Sequence, residues 1–134
     1  MIPALNRIEQ KILAVLEEAG EDYVVALINT LYRPTGDVRE VASVTDALLT
    51  LNQKSLVEFE KEYCQEGWRT LPVNRTAVRR ELEELRQKVT WSPVRHCWEA
   101  HGRTVWLRVV LTQLGMLVSE RLLREYGWDL TQPE

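Results

Sequence analysis

The sequence has few of the features that mark secreted or membrane proteins. It contains only two cysteines, Cys64 and Cys97, which is too few for the disulfide framework of a small secreted domain, so we expect reduced thiols. No apolar run approaches the roughly 18 residues that a membrane-spanning helix requires, and charged side chains interrupt the N-terminal segment. A cytoplasmic location without membrane contact is therefore expected.

The residues of a catalytic site are also missing. There is no glycine-rich phosphate loop, and neither Ser43 nor Ser55 has a plausible histidine and acid partner. We expect no enzymatic activity and no cofactor. Four side chains are of the zinc-ligand type, namely Cys64, His96, Cys97 and His101. Because His96 and Cys97 are adjacent, they would point to opposite faces of a strand, so packed thiols and surface imidazoles are favoured over a metal site.

Charge is distributed unevenly along a chain whose net charge is only -3. Residues 1–62 carry six Lys and Arg against eleven Asp and Glu, a balance of -5. Residues 69–108 carry nine against four, a balance of +5. A phosphate-facing surface would draw mainly on the later segment, because acidic side chains repel the nucleic-acid backbone.

The 134 residues, 45% of them apolar, indicate one domain over 1–134, with apolar positions at helical spacing in five segments. The first predicted helix has Pro3 in its first turn and ends at Gly20, and the second is capped by Asp22. The third covers 37–54, with Val41, Val44, Leu48 and Leu51 as its buried stripe. A fourth runs from Asn74 to Val89, and the C-terminal helix covers about 112–126 with Thr112 as its cap.

Alternating polar and apolar residues predict a strand over Leu56–Tyr63, followed by a loop punctuated by Gly67 and Pro72. Residues 94–100 and 104–110 are rich in β-branched and aromatic side chains and flank His101-Gly102-Arg103, which predicts a hairpin over 94–110. The predicted fold is therefore α+β and mostly helical. It is a winged helix-turn-helix with a helical insertion, about 64–93, between the first strand and the wing hairpin.

Three segments resemble the PadR-like family of bacterial transcription regulators and, more distantly, the MarR-like family. ILAVLEEAGEDYVVALINTLY resembles the first two helices of PadR-like proteins, and ASVTDALLTLNQKSLVEF resembles their recognition helix and first wing strand. TVWLRVVLTQLGMLVSERL resembles the last wing strand and its Leu-Thr-x-x-Gly junction with the C-terminal helix. The resemblance covers residues 8–63 and 99–126, and it implies a DNA-binding regulator that acts as a homodimer.

Two departures from the family pattern stand out. Ser55 occupies the position where a glycine commonly precedes the strand, so the third helix must end without the residue that best tolerates a left-handed backbone. About 35 residues separate the wing strands, where the family has a short tip. Five tryptophans lie mostly in or near this insertion, and we expect them to pack in a core or dimer interface. The resemblance leaves a small aromatic effector as the alternative.

The predicted DNA-binding residues lie on the third helix and at the wing tip. Opposite the apolar stripe of the helix, the polar face consists of Arg39, Ser43, Asp46, Thr50 and Gln53. Asp46 is the exception among them, because its carboxylate repels phosphates. At the hairpin tip, His101 and Arg103 are candidates for minor-groove contacts.

Two functions from different classes follow. The first is a homodimeric transcription regulator that binds double-stranded DNA. Its dimer is expected to form through the C-terminal helix, whose apolar stripe consists of Leu114, Leu117, Val118, Leu122 and Tyr126. The second is a winged-helix module that binds another protein and not DNA. The acidic first half, Asp46 on the polar face and the long insertion all favour the second.

Overall fold

The computed structural model describes residues 4–64, 67–100 and 105–133. The fold is α+β: within these ranges lie five α-helices and six antiparallel strands. In chain order they are α1 (Arg7–Ala19), β1 (Glu21–Tyr23), α2 (Val24–Leu31), α3 (Val38–Gln53), β2 (Val57–Cys64), β3 (Trp68–Pro72), α4 (Val78–Lys88), β4 (Val89–Ser92), β5 (Cys97–Ala100), β6 (Val105–Leu111) and α5 (Gln113–Tyr126). Short 3-10 turns at Arg75–Ala77 and Trp128–Thr131 complete the described elements.

The main sheet has the strand order β1-β6-β2-β3, and β4 with β5 forms a separate two-stranded sheet. The predicted strand over 56–63 is confirmed as β2, and the one over 104–110 as β6. β6 lies at the centre, pairing Val109 with Phe59 of β2 on one side and with Asp22 of β1 on the other. β1, β3 and β4 were not predicted, and β4 begins at Val89, the last residue of the predicted fourth helix, whereas α4 ends at Lys88. β1 has only three residues, and β3 is an exposed edge strand that contains a proline, so neither has the alternating pattern of a half-buried strand.

The predicted hairpin between 94–100 and 104–110 is wrong. β5 pairs with the preceding β4, across a four-residue turn at 93–96 in which His96 has a φ of 54°. The other edge of β5 is occupied by a side chain: the Asn29 amide donates to the carbonyl oxygen of Trp98 at 2.9 Å and accepts from its N–H at 2.8 Å. With β4 on one edge and the Asn29 amide on the other, β5 does not pair with β6, which pairs with β2 instead.

The helix caps are set by local hydrogen bonds. Predicted caps are confirmed at Asp37 and Thr112, whose side chains accept from backbone N–H groups of the first turns of α3 and α5. The predicted start of the first helix at Pro3 is wrong. Asn6 and Glu9 form a capping box, each side chain accepting from the other's backbone N–H, so α1 begins at Arg7.

A single core joins the helices to the inner face of the main sheet. The predicted stripe of α3 is confirmed, since Val41, Val44, Leu48 and Leu51 are all buried. α3 ends as expected for a chain with Ser55 in place of glycine: Ser55 adopts the left-handed conformation, with a φ of 62°. The N–H of Leu56 then donates to the carbonyl oxygen of Leu51 at 3.0 Å, which satisfies a carbonyl at the helix end.

α5 packs against α1 but buries only part of its predicted stripe. Val118 and Leu122 are buried, whereas Leu114, Leu117 and Tyr126 are exposed, so two of the five residues of the stripe lie in the core of the chain. Gly115 of the Leu-Thr-x-x-Gly junction lies against β2, where an added Cβ would collide with the carbonyl oxygen of Leu56. None of the helices in the described part of the chain combines the length and the apolar character needed to span a membrane.

Candidate nucleic-acid interface

The exposed side of α3 is a narrow polar strip. Arg39, Asp46 and Gln53 are exposed and seven residues apart, so they follow one line along the helix, with half-buried Ser43 and Thr50 at its edge. We call these five residues the α3 strip. The structure therefore brings together all the residues predicted from the third helix, on the side opposite the core.

Several polar groups of the α3 strip already have partners. The Arg39 guanidinium pairs with Asp37 at 2.6 Å while its side chain remains 88% exposed. The hydrogen bond from this side chain, and after it the one from the Arg39 backbone N–H, lowers the pKa of Asp37. The Ser43 hydroxyl accepts from Tyr32 Oη at 2.7 Å, and Thr50 Oγ1 donates to the Asp46 carbonyl oxygen at 3.2 Å. Arg39 therefore remains largely exposed although its guanidinium is paired with Asp37, and Gln53 is the other exposed residue of the strip without a carboxylate.

Asp46, the acidic exception in the strip, has a cationic partner from the insertion. Arg86 Nη1 of α4 lies 3.2 Å from Asp46 Oδ1. The Asp46 side chain is 70% exposed, so the pair contributes less than about 1 kcal/mol to stability. Its consequence is electrostatic, because the guanidinium offsets the one carboxylate that would repel a phosphate backbone at this surface.

A row of arginines from the insertion borders the α3 strip. Arg75 Nη2 donates to the Gln53 carbonyl oxygen at 2.5 Å, at the opposite end of the strip from Arg39. Arg86 meets Asp46, and Arg79 precedes Arg86 by seven residues on the same side of α4. We call Arg75, Arg79 and Arg86 the α4 flank. Sequence reasoning did not select these residues, although the positive balance of residues 69–108 pointed to this segment.

The β4–β5 hairpin of the insertion is anchored on the turn between α2 and α3. The buried carboxylate of Glu40 accepts hydrogen bonds from the backbone N–H groups of Thr35 and Gly36 and from Trp98 Nε1 at 3.1 Å. Trp91 lies over Gly36, so closely that an added Cβ would be 2.9 Å from its indole ring. The hairpin therefore contacts both α2, through Asn29, and α3, through Glu40.

Only part of the predicted wing lies within the described residues. His101 and Arg103 lie outside the described residues. Arg95 and Arg108 lie on either side of the predicted tip in the sequence, and both have carboxylate partners. Arg95 pairs with Glu99 at 3.2 Å. Arg108 is held on the sheet by Glu21, Glu60 and Glu62, at 2.9, 3.4 and 2.8 Å, and its side chain is 18% exposed. Because its guanidinium is paired with three carboxylates, Arg108 is not a candidate for a phosphate contact.

The tryptophans divide between packing and surface positions. Trp98 is buried, Trp91 stacks edge-on against it with ring centroids 5.4 Å apart, and Trp106 packs edge-on against Tyr23. Trp68 and Trp128 are exposed. A groove of about 520 Å³ between β2, β3 and the end of α3 is lined instead by Asn52, Glu58, Glu60 and Arg75, among others. The structure thus brings no tryptophan into this groove.

No cluster of three or more metal-binding side chains occurs within the described ranges. Of the four residues considered for zinc, His101 lies outside those ranges. His96 stacks edge-on against Trp91, with centroids 5.1 Å apart, and the Cys97 thiol contacts the Glu99 carboxylate.

No protein-family model matches the chain, and no curated protein and no solved structure matches it either.

Proposed function

We propose that the chain is a winged helix-turn-helix protein that binds double-stranded DNA as a homodimer, with α3 as the recognition helix. One observation carries the proposal: α3 buries its apolar stripe in the core and exposes a polar strip whose acidic residue is paired with Arg86. A helix that enters a major groove needs such a polar outer side, with arginine and amide groups available to base edges and phosphates.

The order of elements supports the same assignment. α1, β1, α2 and α3 are followed by two long antiparallel strands, β2 and β6, and β1 adds to the far side of β6. In this interpretation β2 and β6 are the wing strands, and the described residues between them, 67–100, belong to an enlarged wing. The resemblance to PadR-like regulators agrees with the assignment of α3 and with the junction into α5.

The dimer is proposed from the exposed apolar side chains of α5. Leu114 is 47% exposed and Leu117 61%, and they lie three residues apart on one side of the helix. Large exposed apolar groups that share a helix face are typical of interaction surfaces. A second copy related by a two-fold axis would cover them and would present two α3 helices to one DNA duplex.

Binding of a fluorescein-labelled duplex of mixed sequence, followed by fluorescence anisotropy, tests the proposal. The chain is expected to bind at low salt and to dissociate as salt rises, since each neutralised phosphate releases counterions. Arg39→Ala and Gln53→Ala should each weaken binding by about tenfold. Arg80→Ala, on the outer side of α4, is the charge-matched control for Arg39→Ala and should have little effect.

Protein binding is the second candidate, because the hydroxyls of Ser43 and Thr50 and the guanidinium of Arg39 already have partners within the chain. A chain that does not bind the duplex even at low ionic strength would overturn the DNA proposal and leave this candidate.

A further inference from the structure

We propose that the α4 flank, Arg75, Arg79 and Arg86, binds the phosphate backbone beside the major groove that α3 occupies. This gives the insertion a role in DNA contact. The inference rests on the proposed function, and it names an additional set of contacts that the wing and the recognition helix do not include.

Two contacts define how α4 lies against α3. Arg75, just before α4, reaches the Gln53 carbonyl oxygen at the end of α3, and Arg86, near the end of α4, reaches Asp46 two turns earlier. The order of contacts is reversed along the two helices, so they run antiparallel. The α4 flank therefore follows the α3 strip over this length.

The helical repeat determines which side of α4 faces the DNA. Val78, Leu82 and Leu85 are buried and mark the inner side. Arg79 lies only about 20° around the helix from Arg86, so both point along the border of the α3 strip. Arg80 and Lys88 lie about 120° and 160° from Arg86 and point elsewhere.

The dimensions of DNA place a backbone strand at this border. Packed helices lie roughly 8–10 Å apart between axes, and the major groove is about 12 Å wide. With α3 in the groove, a neighbouring helix at that distance lies over the phosphates that line the groove edge. Arginines there match phosphate oxygens in charge and in geometry.

The side chains around the α4 flank carry both signs of charge, and the positive charges that have no partner outnumber the negative ones. Arg86 is paired with Asp46, and Glu83 is an exposed acid between Arg79 and Arg86. Arg79 has no ion pair within the part of the chain that the structure describes, and Arg75 contacts only a neutral carbonyl group there. Two guanidinium groups thus remain available against one carboxylate.

A pair of charge-matched double variants tests the inference on the full chain. Arg75→Ala/Arg79→Ala removes the two guanidinium groups without a carboxylate partner, so it should weaken duplex binding by about tenfold or more and reduce the slope of log affinity against log salt by about 1.8. Arg80→Ala/Lys88→Ala removes the same charge from the other sides of α4 and should leave the slope unchanged. Glu83→Gln should strengthen binding. Circular dichroism melting checks that the variants remain folded.

The outcomes separate the inference from the proposed function. If Arg39→Ala weakens binding but Arg75→Ala/Arg79→Ala does not, the α4 flank is not a phosphate site and the recognition role of α3 stands. Equal losses in the two double variants would also overturn the inference, because they would reflect net charge alone. Failure of the unmodified chain to bind any duplex would overturn both. Tighter binding to double-stranded RNA would contradict them too, since the narrow major groove of RNA does not admit α3.

Discussion

Ser55 sits at the junction between α3 and β2 in a conformation that residues with a Cβ disfavour. Its φ of 62° costs roughly 1–2 kcal/mol compared with a right-handed backbone, and glycine avoids this cost. The conformation persists because the neighbouring backbone is well bonded. Leu56 N–H donates to Leu51, and the Ser55 carbonyl oxygen accepts from Thr112 Oγ1 at 2.7 Å. The junction that positions α3 thus stores local strain.

Replacing Ser55 with glycine should therefore stabilise the chain. We expect Ser55→Gly to raise the free energy of unfolding by about 0.5 kcal/mol, after allowing for the greater freedom of glycine in the unfolded state. Ser55→Ala is the control, because alanine keeps the strain, and it should be less stable than Ser55→Gly by about 1 kcal/mol. Urea denaturation measures both, and a glycine variant less stable than the alanine variant would contradict the account.

Arg108 pairs with three carboxylates on the outer face of the main sheet, where its own side chain is largely buried among them. Burial opposes the charge of Arg108, but Glu21, Glu60 and Glu62 outweigh it and raise the pKa of the guanidinium above its usual value. Tyr23 extends the cluster: its hydrogen bond of 2.6 Å to Glu62, and after it partial burial, raises the pKa of the Tyr23 phenol. The cluster joins β1, β2 and β6 across the sheet.

Removing Arg108 should destabilise the fold in a pH-dependent way. In Arg108→Met the three carboxylates face one another without a cation. Their mutual repulsion exists only while they are ionised, so it destabilises the folded chain at neutral pH and weakens in acid. We expect a loss of about 2 kcal/mol near pH 7 and a much smaller loss near pH 4. Thermal unfolding across this range measures it, and a loss that is the same at both pH values would contradict the role of repulsion.

At this scale, local features could be predicted from the sequence and long-range pairs could not. The caps at Asp37 and Thr112 and the strained end at Ser55 depend on residues within a few positions. The pair between Asp46 and Arg86 joins residues 40 positions apart, and no local pattern indicates it. The one feature of the sequence that is consistent with this pair is the excess of positive charge in residues 69–108.

Among the elements, the β4–β5 hairpin shows how the segment between β2 and β6 is joined to α2 and α3. The Asn29 amide takes the place of a neighbouring strand beside Trp98, and Glu40 receives the Trp98 indole N–H. The side-chain types of residues 94–110 were enough to predict that this segment contains strands. They were not enough to predict that β5 pairs with β4 and β6 with β2. That pairing depends on Asn29, a single polar side chain of α2 with no strand pattern around it.

Two glycines provide a matched test of this docking. Gly20 and Gly36 both have positive φ values, 84° and 91°, but an added Cβ meets nothing at Gly20 and meets the Trp91 ring at Gly36. Gly20→Ala should therefore cost backbone strain alone, whereas Gly36→Ala should cost about 1–3 kcal/mol more.

The extra cost should disappear when Trp91 is also replaced. A double-mutant cycle between Gly36→Ala and Trp91→Ala, measured by urea denaturation, is expected to show coupling of about 1–3 kcal/mol. Equal losses for Gly20→Ala and Gly36→Ala, with no coupling to Trp91, would mean that the hairpin does not dock as described.

For the whole molecule, α5 presents an exposed apolar outer side. Its inner residues Val118 and Leu122 complete the core, while Leu114, Met116 and Leu117 remain about half exposed or more. The apolar spacing of α5 was predictable from the sequence. The division of that pattern between core and surface was not, because it depends on how α1 and the 3-10 turn at Trp128–Thr131 cover the helix.

A double variant at this surface should dissociate the proposed dimer. Leu114→Glu/Leu117→Glu is expected to sediment as a monomer at concentrations where the unmodified chain sediments as a dimer, because the interface would bury uncompensated charges. Leu71→Glu/Val94→Glu adds the same charge at exposed apolar positions on β3 and the β4–β5 turn, and it should remain dimeric. An unmodified chain that is monomeric throughout would remove the dimer from the proposal.

The separation of the two α3 helices in solution tests the central claim most directly. Spin labels on a cysteine introduced as Val38→Cys, an exposed position of α3 outside the α3 strip, with Cys64→Ser and Cys97→Ser, allow pulsed electron paramagnetic resonance to measure this separation in the dimer with and without duplex DNA. If two α3 helices enter successive major grooves, the separation should be about 34 Å and should narrow in distribution when DNA is added. A separation that matches no whole number of helical turns, or no dipolar coupling between copies, would contradict the account.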